Sequence, residues 1–230
     1  MKEHKIFTKF NLYEEIVKQN YMYHKELIEV AQKRLQPKSV NKPLFYLDLG
    51  CGDAYFISQV YTKDVPVNYT GVDLSESALN DANKNLQDYK KWNIDLRHSD
   101  LLSHIRNDTT KYDIISCGFS LHHLSKSDKR AVFGEIKKSL VQGGLFLFYD
   151  VVRDKETREE INRIQIDHYK KKWISIPKDS MKLVEEHMIK EDFPEKLTTY
   201  QDWSKEVGFS QSEILYRTPH EFYVFIEFKN

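Results

Sequence analysis

The feature that most constrains this chain is a regular alternation of strand-like and helix-like segments through residues 44–149. Short apolar runs typical of buried strands alternate with stretches whose apolar residues recur at helical spacing. The predicted strands are residues 44–47, 67–72, 94–98, 112–117 and 145–149. Strands that alternate with helices build right-handed crossover units, so the pattern predicts an α/β fold with a parallel sheet.

The end of the chain departs from this alternation. A predicted helix at residues 200–207 precedes two further strand-like runs, at residues 212–217 and 222–228. Because only residues 218–221 separate these two runs, they can pair only as an antiparallel hairpin. The prediction is therefore a Rossmann-like three-layer sandwich with a seven-stranded, mostly parallel sheet that ends in a C-terminal antiparallel hairpin.

The helices of the core have recognisable ends. Helical spacing predicts helices at residues 54–61 and 126–140, and Ser75 is expected to cap a third helix. Gly143 and Gly144 are expected to end the helix at residues 126–140.

Helical segments flank the predicted core on both sides in sequence. We interpret residues 1–230 as a single domain with four parts: an N-terminal helical lid (1–39), a core (40–150), a helical insertion (151–199), and a terminal helix with the hairpin (200–230). The lid contains helical spacing at residues 11–35 and a loop at residues 36–39, and the insertion contains predicted helices at residues 156–172 and 178–190. Open α/β sheets bind ligands at the carboxyl ends of their strands, and we expect the flanking helices to close over a small ligand there.

Composition narrows the possible partners. The 35 Lys and Arg residues balance the 35 Asp and Glu residues, so no broad positive field attracts nucleic acid. The sequence shows neither a membrane-spanning apolar stretch nor the apolar core of a signal peptide. We expect a cytoplasmic monomer or homodimer without a nucleic-acid or membrane partner, with Cys51 and Cys117 as free thiols.

The turn after the first strand has the sequence DLGCG at residues 48–52. Glycines before a helix let backbone N–H groups approach a ligand closely. A dinucleotide fingerprint that starts at Gly50 needs a third glycine at position 55, where this chain has Tyr55, so NAD and FAD are disfavoured. Asp73 follows at the end of the second strand, where a carboxylate can accept hydrogen bonds from both hydroxyls of a ribose.

With this turn as its first motif, the chain resembles the class I S-adenosylmethionine-dependent methyltransferases, and among them small-molecule enzymes with a type 11 or type 12 methyltransferase domain. Their first motif is an acidic residue, x, Gly, x, Gly, x, Gly. Here it is DLGCGDA at residues 48–54, with Ala54 in place of the third glycine. Their fourth motif resembles the run YDIISCGFSLHHL at residues 112–124.

The resemblance implies that S-adenosylmethionine is the cofactor and S-adenosylhomocysteine its product. Asp48, Gly50, Cys51 and Gly52 are then assigned to the methionine part, Asp73 to the ribose, Asp100 and Leu101 to the adenine, and Gly118 and Phe119 to the surroundings of the sulfonium. Leu74 is a further expected cofactor-binding residue. The implied reaction is direct in-line methyl transfer to a small-molecule acceptor.

His122 and His123 follow the fourth strand and are the predicted catalytic residues. A histidine with a pKa near 6.5 suits the removal of a proton from an oxygen or nitrogen acceptor. Methyl transfer can also proceed through alignment and exclusion of water alone, in which case both histidines are structural. Both interpretations remain open on the sequence, and no metal site is predicted.

Candidate lid or substrate residues lie in the flanking helical parts: Tyr13, Tyr21, Tyr23, His24, Arg153, His168, Tyr169 and Trp173. The alternative functions are a carboxy-S-adenosylmethionine synthase, which needs an arginine such as Arg153 to hold a carboxylate, and an RNA or protein methyltransferase, which needs a basic face or a peptide groove. A non-catalytic cofactor-binding protein is the last alternative.

Overall fold

The computed structural model describes residues 12–35, 42–154 and 157–230. The predicted loop at residues 36–39, the first eleven residues of the predicted N-terminal lid and the start of the helix predicted at residues 156–172 lie outside the described residues.

A seven-stranded sheet is the centre of the structure, with the strand order β3-β2-β1-β4-β5-β7-β6. Its strands are β1 (Leu44–Leu49), β2 (Val67–Asp73), β3 (Trp92–His98), β4 (Tyr112–Gly118), β5 (Leu140–Val151), β6 (Gln211–Arg217) and β7 (Tyr223–Lys229). The first five strands are parallel, whereas β7 is antiparallel to both β5 and β6. The predicted sheet and its terminal hairpin are confirmed.

Helices cover both faces of the sheet. They are α1 (Leu12–Lys18), α2 (His24–Leu35), α3 (Tyr55–Val60), α4 (Glu76–Leu86), α5 (Leu101–Asn107), α6 (Lys126–Ser139), α7 (Arg158–Lys172), α8 (Lys178–Glu191) and α9 (Leu197–Glu206), with a short 3₁₀ turn at Leu121–His123. Side-chain hydrogen bonds cap the first turn of several helices. Ser75 Oγ accepts from Ala78 N at 3.3 Å at the start of α4, as predicted, and Ser125 Oγ accepts from Asp128 N at 3.1 Å at the start of α6. None of the helices in the described ranges combines the length and the apolar character needed to cross a bilayer.

Each face of the sheet has its own apolar core, because successive strand residues point to opposite faces. Leu47 and Leu49 belong to the cluster that includes residues of α5, α6 and α9. Tyr46, which directly precedes Leu47, points to the opposite face and belongs to the cluster of α2, α3 and α4. The sheet therefore forms the middle of three layers.

A third apolar cluster joins α1, α7 and α8 to the end of β5. Its members include Leu12, Ile16, Val151, Ile161, Tyr169, Trp173, Met181, Met188 and Tyr223. The Trp173 ring stacks on Tyr169 with 4.1 Å between ring centroids. Because Val151 ends β5 and Tyr223 begins β7, this cluster places the lid helices at the carboxyl end of the parallel strands.

One predicted boundary is wrong. Helix α6 ends at Ser139, and Leu140 already pairs with Tyr112 as the first residue of β5. Gly143 and Gly144 therefore lie inside β5 and do not end the helix. The register between β4 and β5 shifts between Tyr112 and Ile114, and Gly143 has a φ of 74° at this irregularity.

Candidate functional site

A cavity of about 940 Å³ lies at the carboxyl ends of the parallel strands. We call its two parts the strand-end half and the lid half. The strand-end half is lined by Gly50, Cys51, Gly52, Asp53, Phe56, Asp73, Leu74, Ser99, Leu101, Gly118 and Phe119. The lid half is lined by Leu12, Tyr13, Ile16, His24, His122, His123, Tyr149, Tyr169, Trp173, His187, Met188 and Asp192. The volume is at the upper end of the range for small-molecule sites.

The turn after β1 is the floor of the strand-end half. Gly50 N and Cys51 N donate to Val72 O at 2.8 and 3.0 Å, which ties the turn to β2. Gly50 has a φ of 74°, and a Cβ atom there would lie 2.1 Å from Ser120 Oγ. Only glycine therefore fits this position, because it tolerates the left-handed conformation and adds no side chain.

Asp73 ends β2 beside this turn. Its Oδ2 accepts from Gly52 N at 2.9 Å, and its Oδ1 accepts from Ser75 N at 2.8 Å. Each carboxylate oxygen has lone pairs for a further bond. Asp73 lines the cavity, so both oxygens are fixed in direction and can still accept hydrogen bonds from a ligand hydroxyl.

Asp48 has different surroundings. It is buried below the turn, where its carboxylate accepts from Ser116 Oγ at 2.6 Å and from the Tyr69 hydroxyl at 3.2 Å. Burial raises the pKa of Asp48 to about 6. Asp48 does not line the cavity, and its carboxylate braces β1 against β2 and β4. Its contact with the methionine part of the cofactor stays a prediction.

Asp100, which is predicted to contact the adenine, lies at the start of α5. Its carboxylate caps α5 by accepting from Ser103 N at 2.9 Å, and it does not line the cavity. Its neighbours Ser99 and Leu101 do line the cavity.

Cys51 also lines the cavity. Cys51 and Cys117 are both buried free thiols, as predicted.

The turn after β4 closes the strand-end half. A Cβ atom on Gly118 would lie 2.0 Å from ring carbons of Tyr149, so a side chain has no room there. Phe119 has a φ of 45°, and its ring packs against Tyr149, Tyr223 and His24 with 5.5–5.7 Å between ring centroids. Phe119 therefore lies between the two halves of the cavity.

Four of the eight candidate lid residues line the cavity: Tyr13, His24, Tyr169 and Trp173. The imidazole of His24 is buried, which lowers its pKa to about 4 and keeps it neutral at pH 7. These four aromatic side chains form one wall of the lid half.

The other four candidates, Tyr21, Tyr23, Arg153 and His168, do not line the cavity. Tyr21 stacks on the Trp173 ring, 5.4 Å between centroids. The rings of Tyr23 and His168 pack against His220. Arg153 Nε donates to Pro194 O at 3.0 Å. The sequence placed these residues on the correct segments, but the side chains point elsewhere.

His122 and His123 lie together in the lid half. His122 Nδ1 pairs with the buried carboxylate of Asp150, whose oxygens also accept from His122 N at 3.1 Å and Val151 N at 2.7 Å. Burial opposes protonation of His122, but the charges of Asp150 and Asp192 outweigh it and raise its pKa. The pair holds the ring in one orientation and leaves Nε2 on the far side.

Asp192 faces this Nε2 atom and is a residue that the sequence analysis missed. Its Oδ1 atom lies 3.7 Å from His122 Nε2, 3.3 Å from His123 Nδ1 and 3.4 Å from His187 Nε2. Burial raises the pKa of Asp192, but the three histidines outweigh this effect and hold it well below its usual range. One carboxylate oxygen is thus the common neighbour of three imidazoles.

The residues that follow α8 hold Asp192 in place. Phe193 N donates to His122 O at 2.7 Å, Arg158 Nε donates to Asp192 O, and Lys129 Nζ donates to Phe193 O. We call residues 192–195 the clamped segment. Its contacts come from distant parts of the chain, and neither His187 nor Asp192 belongs to a motif, so no sequence pattern pointed to this cluster.

Comparisons with known proteins agree with this architecture. Residues 47–146 match the model of a family described as a methyltransferase domain. No relative was found among curated proteins.

Solved structures share the fold at low sequence identity. An O-methyltransferase family protein from Burkholderia thailandensis is 13% identical with a TM-score of 0.63, over 90% of this chain and 55% of that one. Magnesium protoporphyrin IX methyltransferase from Synechocystis PCC 6803, with bound S-adenosylhomocysteine, is 14% identical with a TM-score of 0.63, over 93% of this chain and 86% of that one. A cyclopropane synthase from Mycobacterium tuberculosis is 16% identical with a TM-score of 0.59, over 83% of this chain and 62% of that one. The chain thus spans less than two thirds of the Burkholderia and Mycobacterium proteins.

Proposed function

The chain carries a methyltransferase domain on a class I methyltransferase fold, and from this premise we propose that it transfers the methyl group of S-adenosylmethionine to a small-molecule acceptor. The observation that carries the proposal is the position of Asp73, which is fixed by the glycine turn and faces the strand-end half of the cavity. The Synechocystis enzyme with the same fold was crystallised with S-adenosylhomocysteine, which supports the same ligand here.

The strand-end half fits this cofactor. Asp73 offers lone pairs to ribose hydroxyls, and Leu74 and Leu101 offer apolar surface to the adenine. Gly50 and Gly52 leave the floor of the turn free of side chains, and nothing lies within 4 Å of a Cβ built on Gly52. When bound, S-adenosylmethionine supplies a methyl group on a positively charged sulfur.

The work of the remaining residues is to orient the acceptor and exclude water. Tyr13, Tyr169 and Trp173 close the lid half with aromatic rings. A dry, shaped cavity aligns an acceptor for in-line displacement and prevents hydrolysis. We assign His122 and His123 to the acceptor, because both line the lid half next to Phe119 at the junction of the two halves.

The alternatives receive less support. Among the described residues, Lys84 is the only lysine or arginine that lines the cavity, and Arg153 lies against Pro194 and Glu195. The arginine that a carboxy-S-adenosylmethionine synthase needs is thus not in the cavity. The balanced charge and the aromatic lid also favour a small acceptor over RNA or a protein.

Label transfer tests this proposal. The purified protein is incubated with S-adenosylmethionine that carries a deuterated methyl group, in separate mixtures with small metabolites, total RNA and protein, and products are identified by mass spectrometry. We expect label in a small molecule together with S-adenosylhomocysteine. Label confined to nucleosides or peptides would contradict the proposed acceptor class. Ligands that co-purify with the protein are identified in parallel, which separates the ordinary cofactor from a carboxylated one.

A further inference from the structure

The histidine cluster of the lid half has more donor atoms than a single general base requires. We propose that His122, His123 and Asp192 form a binding site for a divalent transition-metal ion, with His187 Nε2 beside Asp192 at its edge. The site stands on its own geometry, whereas its use in activating an acceptor rests on the proposed function.

The spacing of the donor atoms supports a metal. One ring nitrogen of His122, one ring nitrogen of His123 and a carboxylate oxygen of Asp192 all lie within 4.8 Å of one another. The two nitrogens are 3.7 and 3.3 Å from Asp192 Oδ1. Ligand atoms at about 2.0–2.2 Å from a tetrahedral zinc ion lie about 3.3–3.6 Å from one another, so this cluster has nearly the spacing of a ligand shell.

His122 is oriented as a metal-binding histidine. Metal ligands commonly use one ring nitrogen for the metal and donate the other N–H to a carboxylate. In His122, Nδ1 is hydrogen-bonded to the carboxylate of Asp150, and Nε2 points towards Asp192 and the cavity. The carboxylate of Asp150 is itself buried and held by two backbone N–H groups, so the ring is preorganised.

Asp192 provides the second observation. Its buried Oδ1 atom has no partner of good hydrogen-bond geometry among the described residues, although three imidazole nitrogens lie 3.3–3.7 Å away. A buried carboxylate oxygen is costly unless it is well paired, and the contacts of the clamped segment fix the main chain of Asp192 beside the imidazoles. A cation at the centre of the cluster would satisfy this oxygen.

The donor types indicate the kind of metal. Two or three imidazoles with one carboxylate suit Zn²⁺, Fe²⁺ and similar ions, whereas Mg²⁺ and Ca²⁺ require mostly oxygen ligands. Three protein ligands leave a position open, as in catalytic zinc sites, and all three residues line the cavity. An acceptor with a hydroxyl, thiol or imidazole could bind there and lose its proton to solvent more easily.

Metal titration of the full-length protein tests the site. After treatment with a chelator, the protein is titrated with Zn²⁺ by calorimetry and with Co²⁺ by visible absorption, which reports tetrahedral coordination by nitrogen and oxygen. We expect about one equivalent to bind. We expect the variants Asp192→Asn and His123→Gln to weaken Zn²⁺ affinity at least about tenfold and to lose the Co²⁺ absorption.

His104→Asn is the matched control. His104 Nε2 lies 3.6 Å from a carboxylate oxygen of Asp108, and this pair includes no other histidine. The variant should therefore keep wild-type metal binding. Circular dichroism verifies the fold of every variant. Absence of the Co²⁺ absorption in the wild type, or its persistence in Asp192→Asn, would overturn the site. Binding of S-adenosylhomocysteine, measured on the same samples, separates failure of the metal site from failure of the proposed function.

Discussion

Asp73 and Asp48 lie at the ends of neighbouring strands but have different surroundings, because Asp73 lines the cavity and Asp48 is buried against Ser116 and Tyr69. The spacing from Gly52 placed Asp73 at the end of a parallel strand, and Asp73 does face the cavity. Asp48 is one residue from the end of β1, but its direction depends on Ser116 and Tyr69, which come from other strands. Position along a strand was predictable, whereas the partner of the side chain was not.

Substitution of Asp73 tests the ribose contact. Asp73→Ala should weaken S-adenosylhomocysteine binding by about 1.5–3 kcal/mol, or about 10- to 150-fold in Kd, because charge-assisted hydrogen bonds are lost. Calorimetry measures the change. Asp88→Ala is the control, since Asp88 is exposed and pairs with Lys63. An affinity that Asp73→Ala leaves unchanged would mean that another residue binds the ribose.

The two histidines of the lid half can be separated by their effects on turnover. With the acceptor found by label transfer, His122→Asn and His123→Asn should each lower turnover at least about 100-fold while S-adenosylhomocysteine affinity is kept, because each is a proposed metal ligand. A loss in only one variant would instead indicate a direct general base. Near wild-type turnover in both would make the histidines structural.

At the scale of elements, local signals set the starts of helices. Ser75 and Ser125 cap α4 and α6 with their own side chains, and such caps are visible in the sequence. The clamped segment is different, because Lys129, Arg158 and the backbone of His122 fix it from far along the chain. Its contribution to the site could not be predicted because long-range contacts, not local propensity, set its conformation.

Lys129 tests how much the clamped segment contributes to stability. Its side chain is buried, with Nζ bonded to Phe193 O and 3.5 Å from Glu195. Lys129→Ala should lower the free energy of unfolding by about 2–4 kcal/mol, because the buried carboxylate of Glu195 loses its lysine partner. The guanidinium of Arg153 lies 4.0 Å from this carboxylate. Urea denaturation measures this. A loss of unfolding free energy no larger than that of the exposed variant Lys126→Ala would show that this contact with the clamped segment does not stabilise the fold.

Two glycines make a matched comparison between a turn and a helix. Gly118→Ala should destabilise by about 1–3 kcal/mol, because its Cβ would overlap the Tyr149 ring, which is held by a stacked Phe56. Gly134→Ala in α6 has open space around its Cβ and should stabilise by about 0.5–1 kcal/mol. Equal changes in the two variants, measured by urea denaturation, would contradict the packing described for the β4 turn.

At the scale of the whole molecule, the alternation of strands and helices was enough to predict the sheet, its parallel core and the terminal hairpin. Hydrophobic periodicity specifies which residues share a face, and short connections limit how strands pair. The lid segments were predicted as helices, and four of the eight candidate lid or substrate residues line the cavity. Tyr21 and Trp173 lie in lid segments and stack on each other, yet of the two only Trp173 lines the cavity. This contact joins segments far apart in the chain, so no local pattern in the sequence predicts it.

The central claim is that the strand-end half of the cavity binds S-adenosylmethionine and its product. Calorimetric titration of the purified protein with S-adenosylhomocysteine tests it most directly. We predict saturable heat, together with a gain of about 2.7 kcal/mol in the free energy of unfolding when free ligand is about 100 times Kd. No heat and no stabilisation at about 1 mM ligand would contradict the claim.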